Sequence, residues 1–332
     1  MSENITPWQQ PEWLEAARSW IRAQMLNIDG GTAVEIEQIH VRPWSTVLRV
    51  TNNRHIFYFK ASADLFGHET ALTAYLAQNF PQITPDVVAS DPERHWLLMH
   101  ESGIALRDRI RSEKSIEGWR GVLPMYVDLQ KSLSTRTDEI LQLGVPDRRL
   151  EHLPGMFKGL LQDESALLLD QPDSLTGEEF ARLKSCGPRF EQMCEDLAGW
   201  AIPASLHHDD FHDGNIFQQD GRTIFTDWGE SAVTHPFFSL VVMLRSVENS
   251  LNLGPEAAEI QILRDWYLAL WGEYGSLVEL QPVVKLAESI GYINRALTWQ
   301  MVISQLPEDL KPEYAIAVPA YLKDFINSGE AD

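Results

Sequence analysis

Three polar side chains at fixed spacing could do chemistry together: Asp210, Asn215 five residues later, and Asp227. All lie in Ser205–Glu230, SLHHDDFHDGNIFQQDGRTIFTDWGE. A short apolar lead-in ends in His208, Asp209 and Asp210. Ile216-Phe217 and Thr223-Ile224-Phe225-Thr226 then flank Gln-Gln-Asp-Gly, the pattern of a β-hairpin with glycine at its turn. The second strand delivers Asp227, followed by Trp228 and Gly229. Such a hairpin folds back on itself, so it can bring Asp227 beside Asn215 with Asp210 at the mouth of the loop. Two carboxylates and an amide oxygen are hard ligands, suited to Mg²⁺ shared with substrate phosphates. One carboxylate can be left over as a proton acceptor. The competing reading is a solvated acidic loop between two strands.

The order H-x-D-x-x-x-x-N, hairpin, D-x-G resembles the catalytic and metal-binding loops of kinase-like phosphotransferases. It is most similar to the aminoglycoside phosphotransferase family, whose loop reads H-G-D-x-H-x-x-N. His208, Asp210, Phe211, His212, Gly214 and Asn215 fall on that pattern, and Asp209 stands where glycine is usual. Asn215 sets the register, so the resemblance gives the base position to Asp210 and not to Asp209. It makes His208 a scaffold residue of the loop, and Asn215 and Asp227 the ligands of Mg²⁺. The implied activity moves the γ-phosphate of ATP to a hydroxyl of a small molecule of the aminoglycoside, amino sugar or amino alcohol type.

The elements that must position these groups follow from periodicity. Trp13, Leu14, Ala17, Trp20, Ile21 and Met25 have helical spacing, with Gly30-Gly31 as a stop. Alternation from Val34 to Val41, then Thr46 to Thr51, then Ile56 to Lys60 gives an antiparallel meander. Val87–Ser90 and Trp96–Met99 add two strands, after a helix from about Phe66 to Gln78. Lys60 ends an otherwise apolar strand and needs an anionic partner, for which Glu69 is the candidate. The resemblance makes Lys60 the phosphate-binding lysine and Glu69 the helix glutamate that orients it. It also places Met99, His100 and Glu101, just before Ser102-Gly103, at an adenine-binding hinge. The turn Arg42-Pro43-Trp44-Ser45-Thr46 takes the place of a glycine-rich loop but holds no glycine, leaving Ser45 and Thr46 to offer hydroxyls or N–H groups to phosphates.

Beyond Gly103 helical patterns dominate, among them a capping box at Thr176–Glu179 and a break at Gly187-Pro188. Helices are expected around 237–247, 255–273, 283–304 and 311–327. The aromatic residues Trp266, Trp271, Tyr274, Tyr292 and Trp299 on them read as core. His235, where the family pattern favours an acid, reads as a helix-start or packing residue. The expected fold is α+β and bilobal, protein-kinase-like: a five-stranded antiparallel N-lobe over residues 1–100 and a mainly helical C-lobe over 101–332.

The 332 residues carry 27 basic and 48 acidic side chains, a net charge of −21. Such a surface repels nucleic acid and anionic membranes. No signal-like or bilayer-length apolar stretch stands out, so the chain reads as cytoplasmic. Cys186 and Cys194 read as core residues. Asp209, Asp213 and Glu230 either line an acidic pocket for a cationic acceptor or are solvated loop acids. Two rival functions remain: a nucleotide-binding pseudokinase without turnover, and a zinc hydrolase built on His207, His208, Asp210 and His212.

Overall fold

Phe57, Phe59 and Ala61 alternate with Tyr58, Lys60 and Ser62 along one strand, and that period of two decides which side of the sheet each faces. A computed structural model describes residues 7–29, 33–169 and 174–329. Helix α1 (Pro11–Asp29) precedes strands β1 (Glu35–Arg42), β2 (Ser45–Thr51) and β3 (Ile56–Ser62). Helix α2 (His68–Asn79), β4 (Val87–Asp91) and β5 (Trp96–His100) follow. The five strands form an antiparallel sheet in the order β1-β2-β3-β5-β4. The Gly30-Gly31 stop expected after α1 lies outside the described residues.

One face of this sheet is closed by α1. Ala17, Ile21 and Met25 form a single buried cluster with Leu48, Val50, Phe57, Phe59, Ala61, Trp96 and Leu98. Trp13 and Trp20 meet Trp96 edge-on at 5.8 and 5.7 Å, a favoured aromatic geometry. The intervening residues of β3 face the other way, toward α2. There Glu69 shares the buried side of the helix with Leu72, Thr73 and Leu76, at the i, i+3, i+4, i+7 spacing of one helical face.

A two-residue strand, β6 (Ile104–Ala105), leads into helices α3 (Leu106–Glu113), α4 (Gly118–Ser134), α5 (Thr137–Gln142), α6 (Leu153–Leu160), α7 (Glu164–Leu167), α8 (Gly177–Ser185) and α9 (Gly187–Ala198). Next come β7 (Ser205–His207), the hairpin β8 (Ile216–Gln219) and β9 (Arg222–Phe225), and β10 (Ala232–Thr234), which pairs antiparallel with β7. Helices α10 (Ser239–Leu251), α11 (Ala258–Ala269), α12 (Leu277–Gln305), α13 (Lys311–Tyr314) and α14 (Ala317–Asn327) end the described chain.

By contacts the chain divides into two compact units, Met1–Ala105 with Ile216–Gly229 and Leu106–Asn215 with Glu230–Asp332. The hairpin belongs to the first unit for identifiable reasons. Strand β8 pairs with β6, and Phe225 N–H donates to the Ile83 carbonyl at 2.8 Å. The Arg222 guanidinium grips Asp86 at 3.0 Å and donates to the carbonyls of Pro81 and Thr84. Its turn residues Asp220 and Gly221 both have positive φ, 50° and 79°, as a two-residue hairpin turn of the primed type requires.

In the second unit the capping box at Thr176 is present, with both reciprocal bonds to Glu179, and α8 gives way to α9 at Gly187-Pro188. A second capping box, Ser276 with Glu279, opens the 29-residue helix α12. The helix expected over 311–327 is broken into α13 and α14. Pro319 lacks an N–H to continue a helical ladder and sits in the first turn of α14, where none is needed. Of the aromatic residues read as core, Trp271 is buried, whereas Trp266, Tyr274, Tyr292 and Trp299 are half-buried. Cys186 and Cys194 are both buried.

Candidate active site

The first unit brings Lys60, Glu69 and Asp227 together. Lys60 Nζ lies 2.5 Å from Glu69 Oε1 and 2.5 Å from Asp227 Oδ1. Ser62, two residues along β3 and therefore on the same face, donates its hydroxyl to Glu69 Oε2 at 2.7 Å. Asp227 follows β9 in a left-handed conformation, φ 64°, a strain that aspartate tolerates better than most residues. Burial opposes the charge on Lys60, but Asp227 and Glu69 outweigh it and hold the ammonium above its usual range. The Glu69 side chain is almost fully enclosed, while that of Asp227 is 49% exposed. One carboxylate thus anchors the lysine, and the other is open to a ligand.

Two other expected nucleotide contacts are already engaged. The Thr46 hydroxyl donates to the His40 carbonyl at 2.8 Å and accepts from Gln38 at 2.9 Å, so it is committed to β1. Ser45, 8% exposed, pairs with Arg42 across the two-residue turn. In the segment after β5, His100 N–H donates to Asp86 O and Glu101 N–H to Ile56 O, each at 3.0 Å. Met99 is paired with Tyr58 and Val87 in the sheet. The N–H groups of His100 and Glu101 therefore serve the sheet, and the next one along the chain belongs to Ser102. Gly103 has φ 93°, and a Cβ there would lie 2.4 Å from the Gln218 carbonyl, so the chain can pass only without a side chain.

The second unit builds the loop from His207 to Asn215. Asn215 donates through Nδ2 to the Asp210 carbonyl at 3.0 Å and to Asp210 Oδ2 at 3.1 Å, which fixes which end of the amide carries its oxygen. His212 Nε2 lies 3.3 Å from the same Oδ2. Its Nδ1 accepts the Gly214 N–H at 2.9 Å and faces Arg107 at 3.2 Å, so Nε2 carries the proton. A Cβ on Gly214 would lie 2.8 Å from the Arg107 guanidinium and 2.9 Å from the His212 ring. His208 is buried, its ring 6.1 Å from that of Phe211, which stacks on Tyr126 at 3.8 Å.

Arg295, Arg148, Asn294 and Thr298 are the residues that sequence reasoning missed. Arg295 on α12 reaches three carboxylates: Asp210 Oδ1 at 3.2 Å, Asp209 Oδ2 at 3.4 Å, and Glu230. Asp209 also accepts from His207 at 2.8 Å, Asn294 at 3.0 Å and Thr298, with Arg148 at 3.8 Å. The signal for the three on α12 was polar residues at 294, 295 and 298 inside an otherwise apolar helical run.

These partners take Asp209 and Asp213 out of both expected roles, the lining of an acidic pocket and solvated loop acids. Asp209 and Asp213 are 3% and 0% exposed, so they neither line a cleft nor face water. Asp213 is held by Arg107 at 2.7 Å, Ser246 at 2.8 Å and Ser250 at 2.6 Å. Burial alone would raise the Asp210 carboxyl, yet the His212 hydrogen bond and Arg295 hold it well below the usual carboxylate range. Glu230 goes the other way: burial, with Asp210 and Asp209 close by, pushes it up to about 7 against the pull of Arg295.

His207 is fully buried between Ser239 and Asp209, each at 2.8 Å, and so has no nitrogen left for a metal. Among the described residues no three His, Cys, Asp or Glu side chains are grouped to hold an ion. His235 caps a short helix, accepting Phe237 N–H at 3.3 Å, and burial lowers its pKa to about 3. Below pH 6.5 the unfolded chain takes up a proton that the folded chain refuses, so stability falls with pH down to about 3. His235→Asn keeps a cap but removes this dependence. Between pH 7 and 5 the variant should lose about 2 kcal/mol less stability than the parent in denaturant titrations.

The model of the phosphotransferase enzyme family matches residues 58–277. No curated relative matches the chain. Solved structures share its fold at low identity. An ethanolamine kinase of Plasmodium vivax is 14% identical, with a TM-score of 0.65 over 96% of this chain and 91% of that one. LicA, a choline kinase of Streptococcus pneumoniae solved in complex with AMP, is 14% identical, with a TM-score of 0.58 over 94% and 98%. A macrolide 2′-phosphotransferase of Brachybacterium faecium is 16% identical, with a TM-score of 0.54 over 92% and 98%. Among the described residues no helix is long and apolar enough to cross a membrane.

Proposed function

We propose that this chain, which belongs to the phosphotransferase enzyme family, transfers the γ-phosphate of ATP to a hydroxyl of a small molecule of the amino alcohol, amino sugar or aminoglycoside type. The observation that carries this reading is Lys60, an enclosed ammonium clasped by Glu69 and by the half-exposed Asp227. A fixed cation beside an open carboxylate is what a nucleotide polyphosphate and its metal need. The AMP held by LicA is a property of that protein and supports a nucleotide here by likeness of fold.

Asp227 and Asn215 offer the hard oxygens that Mg²⁺ takes. When bound, the ion neutralises charge on the β- and γ-phosphates. Lys60 steadies the same phosphates, and Glu69 keeps Lys60 aimed. The segment after β5 would hold the adenine, with Ser102 the first residue whose N–H follows those committed to the sheet. Asp210, ionised because His212 and Arg295 stabilise its charge, orients the acceptor hydroxyl and takes its proton. The acceptor oxygen forms a bond to the γ-phosphorus as the bond from that phosphorus to the β-bridging oxygen breaks, leaving ADP. His208 scaffolds the loop. Most of the acceleration then comes from positioning and charge neutralisation.

An ATP-consumption screen over amino alcohols, sugars, aminoglycosides and macrolides tests the proposal. ADP release that depends on one acceptor class supports it. Mg²⁺·ATP binding without turnover on any acceptor favours a nucleotide-binding module instead.

A further inference from the structure

The chain departs from the family's loop pattern at Asp209, where glycine is usual. The departure is matched by a set of partners at distant positions. Asn294, Arg295 and Thr298 fall within about one turn of α12, and all three bond Asp209. Arg148 joins them, donating to the Asn294 carbonyl at 3.1 Å and to Thr298. Both guanidiniums are buried, 5% exposed each, a state tolerable only with fixed counter-charges. Asp209 supplies one to each, and Glu230 supplies another to Arg295.

Arg295 is the one member of this set that touches Asp210. Its Nη2 bonds Oδ1 at 3.2 Å, while Oδ2 is bonded by Asn215 and approached by His212. A carboxylate held on both oxygens cannot turn about its own axis. Its lone pairs are therefore aimed before any acceptor arrives, and loss of such preorganisation weakens catalysis without touching the reacting atoms.

We propose that Arg295 is a positioning residue for Asp210, locked in place by Asp209, and that it fixes the Oδ1 side of the carboxylate while the loop residues Asn215 and His212 fix the Oδ2 side. The kinetic part rests on the phosphotransferase reading above.

Arg295→Lys tests this, since lysine keeps the buried charge but loses the planar fork. With the acceptor returned by the screen, kcat should fall about 10²-fold, the scale of a misaligned reacting group. The KM for ATP and calorimetric Mg²⁺·ATP affinity should stay within about 2-fold, an expectation that follows from Arg295 bonding Asp210 and neither Lys60 nor Asp227. Asp209→Asn, which keeps the shape but weakens the lock, should fall between the parent and Arg295→Lys. In ¹⁵N-histidine-labelled protein, the His212 Nε2 resonance, assigned by its absence in His212→Gln, should move or broaden in Arg295→Lys. An unchanged kcat with an unmoved His212 signal overturns the proposal. So does a loss of kcat, ATP affinity and melting temperature together, the mark of a merely structural arginine. If the parent turns over no acceptor, the functional reading fails, and the His212 signal alone decides whether Arg295 positions Asp210.

Discussion

Asp210→Asn lowers turnover by roughly 10²–10⁴-fold, the usual scale for a positioned acid–base group, and leaves Mg²⁺·ATP affinity near the parent value. Asparagine keeps the size of the side chain and can still accept from Arg295 on one atom, so the loop should stay folded. What it loses is the ionised oxygen that takes the acceptor's proton. In the parent, the low pKa of Asp210 keeps that oxygen ionised as pH falls, so protonation of Asp210 should not reduce turnover between pH 7 and 5. Asp227→Asn should fail differently, because Asp227 is the open carboxylate beside Lys60. It should abolish productive Mg²⁺·ATP binding at any practical magnesium concentration. Calorimetric titrations of both variants separate the two roles. Lost nucleotide binding in Asp210→Asn, with binding and turnover kept in Asp227→Asn, would mean that the roles are reversed.

Lys60→Ala costs both activity and stability. Removing the ammonium leaves Glu69, 3% exposed, without its counter-ion, and breaking such a pair destabilises a fold by about 3–5 kcal/mol. Turnover should fall by about 10²–10³-fold, the loss typical of one preorganised donor at a developing charge. The two effects can be pulled apart. Replacing both partners, Lys60→Met with Glu69→Leu, removes the buried charges together and should return most of the stability, because apolar residues of similar volume often replace a buried pair without loss. It should return none of the activity. Thermal melts and initial rates on the single and double variants check this. A double variant that recovered turnover would remove Lys60 from the reaction.

Much of this arrangement is visible in the sequence because it is written in local terms. Alternation in Ile56–Ser62 separates the α1-facing residues from Lys60 and Ser62, and the spacing from Asp210 to Asn215 to Asp227 sits on one loop and one hairpin. The capping box at Thr176 and the Asp220-Gly221 turn are equally local. What sequence left open depends on partners far along the chain. Asp209 reads the same in sequence whether it lines a pocket, faces water or balances two arginines, and only α12, 85 residues on, decides. Arg295 lies in an apolar stretch whose periodicity says core, and periodicity says nothing about which acid a buried arginine meets. The Thr46 hydroxyl and the His100 and Glu101 N–H groups are polar groups at plausible places for a nucleotide. Their commitment to Gln38, His40, Asp86 and Ile56 follows from strand register, which local pattern does not set.

Group transfer to a small-molecule hydroxyl is tested by the identity of the product. Mass spectrometry and ³¹P NMR should be run on the acceptor pool after incubation with the protein, Mg²⁺ and ATP. One acceptor should gain a single phosphate ester on a hydroxyl, formed one-for-one with ADP and absent with Asp210→Asn over the same interval. ADP accompanied only by inorganic phosphate, or an unaltered ATP pool despite tight nucleotide binding, would contradict it.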